Sequence, residues 1–248
     1  MPLATLDIHG RVARLTLNRP EQRNALNSDL LDELSAHADS LAKTPGLAVT
    51  VLTGAGRAFC AGMDLKQVLG NPAAAERLLT TLAEFTLNLR ALPCVTLAVV
   101  NGAAIGGGCG LTTVCDVAIT HADSKMGFPE VDLGVCPAVV APWLCKKIGV
   151  GAARRVLLMG GLLSGREAHA AGIVSHLVEA REELDTAAEA LGTRLAAGAP
   201  RALAATKSLL NELDGSLDAP TLRKAATLSA SVLSTPESQA MLRAKLGQ

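Results

Sequence analysis

Apolar and polar positions alternate over Leu6–Ile8 and again over Ala13–Leu17, on either side of Gly10-Arg11. That period of two predicts a β-hairpin. The period changes after NRPEQRNALN: Leu30, Leu31, Leu34 and Leu41 fall at helical spacing, so Asp29–Ala42 reads as a helix capped by Asn27 or Ser28. Val49–Leu52 is a short apolar run closed by Gly54-Ala55-Gly56, and reads as a buried strand. Pro72–Leu92 opens with proline near the first helical position and continues as a helix. Val95–Val100 predicts a second buried strand, Leu111–Val117 the start of a helix, and Asp116–Thr120 a strand leaving through His121–Lys125. Helices follow over Val140–Ile148 and Ala152–Met159, the latter stopped by Gly160-Gly161. Ser164 caps another helix that ends at Gly172, and Ile173–Val178 reads as the last strand. From Glu179 onward the texture is Ala/Leu-rich helix over 181–197, 200–213, 220–233 and 236–246, with Pro200, Pro220 and Pro236 near helix starts and Thr235 as a cap. Strands alternating with helices predict an α/β fold with partly parallel pairing, followed by an all-helical tail. Apolar stripes on that tail predict packing against the core or against other subunits.

Composition narrows the function. The 248 residues carry a formal net charge of zero, three Phe, one Trp and no Tyr. Neutral charge and few aromatics argue against a nucleic-acid role. The six cysteines form no C-x-x-C pair and read as reduced core thiols, and the five histidines show no metal-ligand spacing, so no metal is expected. The opening MPLATLDIHG has no charged segment running into an apolar one, so a cytoplasmic location is expected. Residues 91–115 are uncharged, but Pro93, Asn101 and five glycines interrupt them, so they read as strand, turn and helix rather than a membrane span.

Three segments carry candidate chemistry. NGAAIGGGCG (101–110) joins a buried strand to a helix. Consecutive glycines there permit close approach and present free N–H groups at a helix N-terminus, which suits a charge that develops in a transition state. The same glycines also suit a plain tight turn. Ala61-Gly62-Met63-Asp64-Leu65 is a second loop after a strand, and Phe128-Pro129-Glu130 places a carboxylate in a mostly apolar stretch. Two loop amides and one carboxyl group can stabilise an oxyanion and move a proton. A carboxyl in an apolar pocket has a raised pKa, which suits proton shuttling near neutrality. An isolated Glu is otherwise most often a surface charge or a helix cap. No phosphate-binding G-x-x-x-x-G-K-[ST] loop and no G-x-S-x-G elbow occurs, and GAGRAF at 54–59 departs from a dinucleotide fingerprint at Phe59.

In order, NRPEQRNALN (18–27), GAGRAFCAGMDL (54–65), NGAAIGGGCGLTTVCDVAI (101–119), MGFPEVDLGVCP (126–137) and SGREAHAAGIVSHLV (164–178) resemble the crotonase, or enoyl-CoA hydratase/isomerase, family over essentially the whole chain. The resemblance implies a crotonase-like spiral of ββα units over 1–194, carrying the CoA and catalytic sites, and a helical oligomerisation region over 195–248. It implies a trimer or dimer of trimers, with no membrane or nucleic-acid partner. It implies an acyl-CoA thioester substrate, with coenzyme A as part of the substrate and no permanently bound cofactor. Met63 and Gly107 match the backbone donors of the oxyanion hole, and Glu130 matches a catalytic glutamate. Arg23, Ala25, Ala61, Met63, Asp64 and Leu65 match CoA-binding positions, Arg23 toward the phosphates, and Lys245 is a further phosphate contact.

One departure from the family matters. Two-glutamate hydratases carry a first glutamate directly after the glycine turn and Cys, and here that position is Gly110. With Glu130 alone, proton transfer between two carbons of an enolate is simple to explain. Relatives called hydratases also lack the first glutamate, so hydration stands as the leading expectation and double-bond isomerisation as the alternative. A non-catalytic CoA-binding protein is a third reading, and an RNA-binding role a distant fourth.

Overall fold

The computed structural model describes residues 1–247. The hairpin forms as expected: β1 (Ala4–His9) pairs antiparallel with β2 (Val12–Leu17). Helix α1 (Ser28–Ala42) follows, with Asn27 as the cap, its side chain accepting from the Leu30 N–H. The chain then repeats one unit three times: a long strand, a short strand, then helix. The first repeat is β3 (Val49–Gly54), β4 (Ala58–Cys60), α2 (Leu65–Val68) and α3 (Pro72–Ala91). The second is β5 (Val95–Val100), β6 (Ala103–Ile105) and α4 (Gly107–Val114). The third is β7 (Val117–His121), β8 (Lys125–Gly127), α5 (Ala141–Ile148) and α6 (Val150–Met159). Then come β9 (Leu162–Ser164), α7 (Gly165–Ala170) and β10 (His176–Val178). The tail is α8 (Leu184–Ala196), α9 (Pro200–Leu213), α10 (Ala219–Leu233) and α11 (Pro236–Leu246).

The long strands form a six-stranded sheet, β1-β2-β3-β5-β7-β10, parallel apart from the hairpin. The short strands form a second sheet, β4-β6-β8-β9, in which only β8-β9 is antiparallel. This is the spiral of ββα units. Both faces of the large sheet are covered, as a parallel sheet requires. Val49, Val51, Leu97, Val99 and Ile119 face Leu184 and Ala188 of α8, while Leu52, Ala98, Val100 and Ala118 join the main core.

The structure departs from the sequence expectations at short elements. β4, β6, β8 and β9 have three residues each, too few to show a period. Helix α4 begins at Gly107, four residues before the apolar run that signalled it. Ile173 and Val174 are buried but belong to the turn that closes α7, so the last strand is only His176–Val178. The 181–197 segment divides into a 3-10 turn and α8.

The tail is not detached from the core. Lys207 on α9 reaches in to donate to the Cys94 carbonyl at 3.0 Å and pairs with Asp116 at 2.8 Å. Helix α10 lies along α3, burying Leu222, Ala226 and Leu233. Among the described residues, no helix is long and apolar enough to cross a membrane.

Candidate active site

The three chemistry-bearing segments emerge side by side because they leave three neighbouring parallel strands at the same end. β4 runs into Ala61–Met63, β6 into Gly106-Gly107 and β8 into Phe128–Glu130. Neighbouring strands are about 4.8 Å apart, so loops at adjacent carboxyl ends are within reach of one small group. Such ends are the usual ligand positions of parallel α/β sheets. A cleft opens there, lined on one side by Ala61, Gly62, Met63 and Leu65 and on the other by Ile105, Gly106, Gly107, Pro129 and Glu130.

The Met63 amide is aimed by a single parallel bridge. The Leu26 N–H donates to the Gly62 carbonyl at 2.7 Å, and the Asp64 N–H donates to the Leu26 carbonyl at 2.8 Å. Leu26 therefore satisfies the residues on either side of Met63. Peptide groups alternate in direction along an extended strand, so the Met63 N–H points away from that bridge, to the cleft side. The 18–27 loop that supplies Leu26 is held by Asn24, fully buried at φ 56°, whose side chain donates to the Ala55 and Ala58 carbonyls. The second amide belongs to Gly107, the first residue of α4, whose N–H has no partner within its own helix. The two loops are close: a methyl group added to Gly62 would lie 3.8 Å from the Gly107 nitrogen.

Glu130 sits on a turn of 3-10 helix, Val131–Leu133, with its Oε2 shielded from solvent and without a hydrogen-bond partner. Burial pushes its carboxyl from 4.5 up to about 7. Gly106 makes room for it: at φ 55° and ψ −120° that residue adopts a backbone almost reserved to glycine, and a methyl group there would meet Glu130 Oε1 at 2.9 Å. Asp132, on the same turn, accepts from the Gly161 N–H at 2.7 Å and so ties the turn to the 160–161 loop.

The position of the absent first glutamate is closed by packing. A methyl group on Gly110 would lie 2.3 Å from Val140 Cγ1, and Val140 itself lines the cleft. Glu130 is the one carboxylate among the described residues that line it.

Of the other expected residues, Ala61, Met63 and Leu65 line the cleft. Arg23 and Ala25 lie on the adjoining loop, Arg23 exposed and holding the Ala61 N–H with its carbonyl at 3.0 Å. Asp64 stands just before α2 without a side-chain capping bond and pairs with Arg19 at 3.3 Å; Arg19 also donates to the Ala25 carbonyl. Lys245 is exposed on α11 and is not among the residues that line the cleft. Gly106 lies in the glycine turn and Asn24 in the NRPEQRNALN segment that the sequence singled out, but Val140 and Ser229 carried no sequence signal as site residues. Ser229, from α10, donates to the Cys136 carbonyl at 2.7 Å and accepts from the Ala138 N–H at 3.1 Å, fixing the cleft wall. Val140 precedes α5 and Ser229 lies on α10, so the fold, not spacing in the chain, brings both to the cleft. All six cysteines are free thiols, and among the described residues no cluster of His, Cys, Asp and Glu could hold a metal ion.

A family model described as enoyl-CoA hydratase/isomerase matches residues 7–245. The chain is 35% identical over 203 residues to the 2,3-dehydroadipyl-CoA hydratase of Escherichia coli K12, covering 82% of this chain and 79% of that one. It is 32% identical over 209 residues to the short-chain-enoyl-CoA hydratase of Clostridium acetobutylicum, covering 83% and 80%. Among solved structures, an enoyl-CoA hydratase from Mycobacterium avium superposes with a TM-score of 0.88 at 29% identity, over 99% of this chain and 96% of that one.

Proposed function

The chain belongs to the enoyl-CoA hydratase/isomerase family, and from that premise we propose that it adds water across the double bond of a 2-enoyl-CoA through a thioester enolate. The observation that carries this reading is the Glu130 carboxyl, its Oε2 shielded and without a partner and its pKa raised to about 7 by burial, on the loop beside those that carry the Met63 and Gly107 amides. The Met63 and Gly107 N–H groups donate to the thioester oxygen as it gains charge. Glu130 takes a proton from water as its oxygen bonds to C3, and returns that proton to C2 of the enolate. One carboxyl group thus serves as base and then as acid, and ends as it began. Arg23, Ala25, Ala61, Asp64, Leu65 and Lys245 are proposed to hold the CoA portion, Arg23 and Lys245 through its phosphates.

One observation favours a second reading. With Val140 filling the space beside Gly110, no second carboxylate among the described residues lines the cleft to hold water. Glu130 could then move a proton between C4 and C2 and leave water out, which is double-bond isomerisation.

Matched 2-enoyl- and 3-enoyl-CoA esters, incubated in water enriched in deuterium and oxygen-18, separate the two. Hydration gives a product with heavy oxygen and one deuterium. Isomerisation gives a shifted double bond and no heavy oxygen, with little deuterium where Glu130 returns the proton it removed. No change in any ester would leave the CoA-binding reading and defeat both.

A further inference from the structure

We propose that the acyl end of the cleft takes an uncharged hydrocarbon chain and rejects an acyl group that ends in a carboxylate. The proposal rests on the reading of the cleft as a thioester site. Beyond Glu130 the wall is Leu79 and Leu82 of α3 with Leu133, Val135, Val139 and Val140. No Lys, Arg or His stands among the described residues that line it. Its remaining polar side chains offer nothing to an anion. The Ser229 hydroxyl is engaged with Cys136 and Ala138, and burial pushes the Cys136 thiol up, so it stays neutral.

The apolar wall is fixed from behind. Val140 is 3% exposed and stands where any side chain on Gly110 would have to go, so position 110 cannot supply a polar group to this end. A terminal carboxylate entering here would leave water without a counter-charge and would approach the site's one acidic group. A terminal methyl would meet only Leu and Val.

A matched six-carbon pair tests this without turnover. Hexanoyl-CoA and adipyl-CoA differ only in a methyl or a carboxylate at the far end, and both lack the reactive double bond. Titration calorimetry at pH 7.5 is expected to show hexanoyl-CoA bound roughly 100-fold more tightly, the scale for leaving one charge uncompensated in an apolar site. The unsaturated pair should show the same ratio in kcat/KM. Leu133→Arg, at a half-exposed position of the wall, should narrow the gap by about tenfold or more by supplying the missing cation. Adipyl-CoA binding as tightly as hexanoyl-CoA overturns the proposal and leaves the thioester reading intact. If CoA itself and both esters fail to bind, the thioester reading falls and the proposal with it.

Discussion

Glu130→Gln should give a protein that is less active and more stable, and the size of the second effect follows from the raised pKa of the carboxyl. The Glu130 carboxyl is raised from 4.5 to about 7 by burial. Each factor of ten in a proton equilibrium is worth about 1.36 kcal/mol, so that displacement is worth about 3 kcal/mol. Below pH 4.5 the group is protonated in both the folded and the unfolded chain and contributes nothing. As pH rises from 4.5 to 7 the unfolded chain releases its proton first, so the folded state loses ground. Above pH 7 the full cost of about 3 kcal/mol is in place. Glutamine never ionises, and Oε2 has no hydrogen bond to lose. The variant should therefore match the wild type at pH 4.5 and exceed it by up to about 3 kcal/mol at pH 8. Urea titrations at fixed protein concentration can follow the fluorescence of Trp143, the chain's single tryptophan, which is 2% exposed. In parallel, kcat should fall roughly 10²–10⁴-fold, and the wild-type rate should drop on the acid side of about pH 7. A variant that is no more stable at pH 8, or whose advantage does not shrink toward pH 4.5, would mean that Glu130 is a paired structural carboxylate and not a stored base.

Gly107→Pro removes one proposed oxyanion donor and should lower turnover by roughly 10²–10³-fold; wild-type turnover in a variant with unchanged circular dichroism would dismiss that role. Gly110→Ala should cost about 1–3 kcal/mol, because its methyl meets Val140 Cγ1 at 2.3 Å, and Val140→Ala in the same chain should restore most of the loss. By the same geometry, Gly110→Glu alone should yield no added hydratase activity, so a carboxylate can be placed there only with Val140 shortened. The exposed Leu209, Leu210, Leu213, Leu217 and Leu228 on and between α9 and α10 lead us to expect a trimer or dimer of trimers, and light scattering of a monodisperse, active monomer would refute it.

The long elements were legible because each has enough residues to display a period. Helix α1 shows four leucines on one stripe, and 200–213 and 236–246 match α9 and α11 to the residue. The second sheet was not legible. Three-residue strands such as Ala58–Cys60 have no periodicity, and their pairing is set by the long strands that precede them. The site shows the same division. Met63, Gly107 and Glu130 could be named from motif order, and the structure brings their segments to one cleft. That Gly106 yields its space to Glu130, and Gly110 to Val140, depends on distances between segments 24 and 30 residues apart, which local sequence does not encode. Asp64 shows the limit in the other direction, since its carboxylate is already paired with Arg19.

Because each working part stands at the end of a different strand, the parts are separable units. The amides come from the ends of β4 and β6 as main-chain groups, which side-chain mutation barely touches. Glu130 and four residues of the apolar wall, Leu133, Val135, Val139 and Val140, come from a single later stretch, 129–140, and Leu79 and Leu82 of α3 complete the wall. On the proposed mechanism, variation confined to that stretch would change which proton moves, and much of what the acyl group meets, while the two amides proposed to hold the thioester oxygen stay as they are. A directed search for new reactions in this scaffold should therefore randomise 129–140 and leave the ends of β4 and β6 alone.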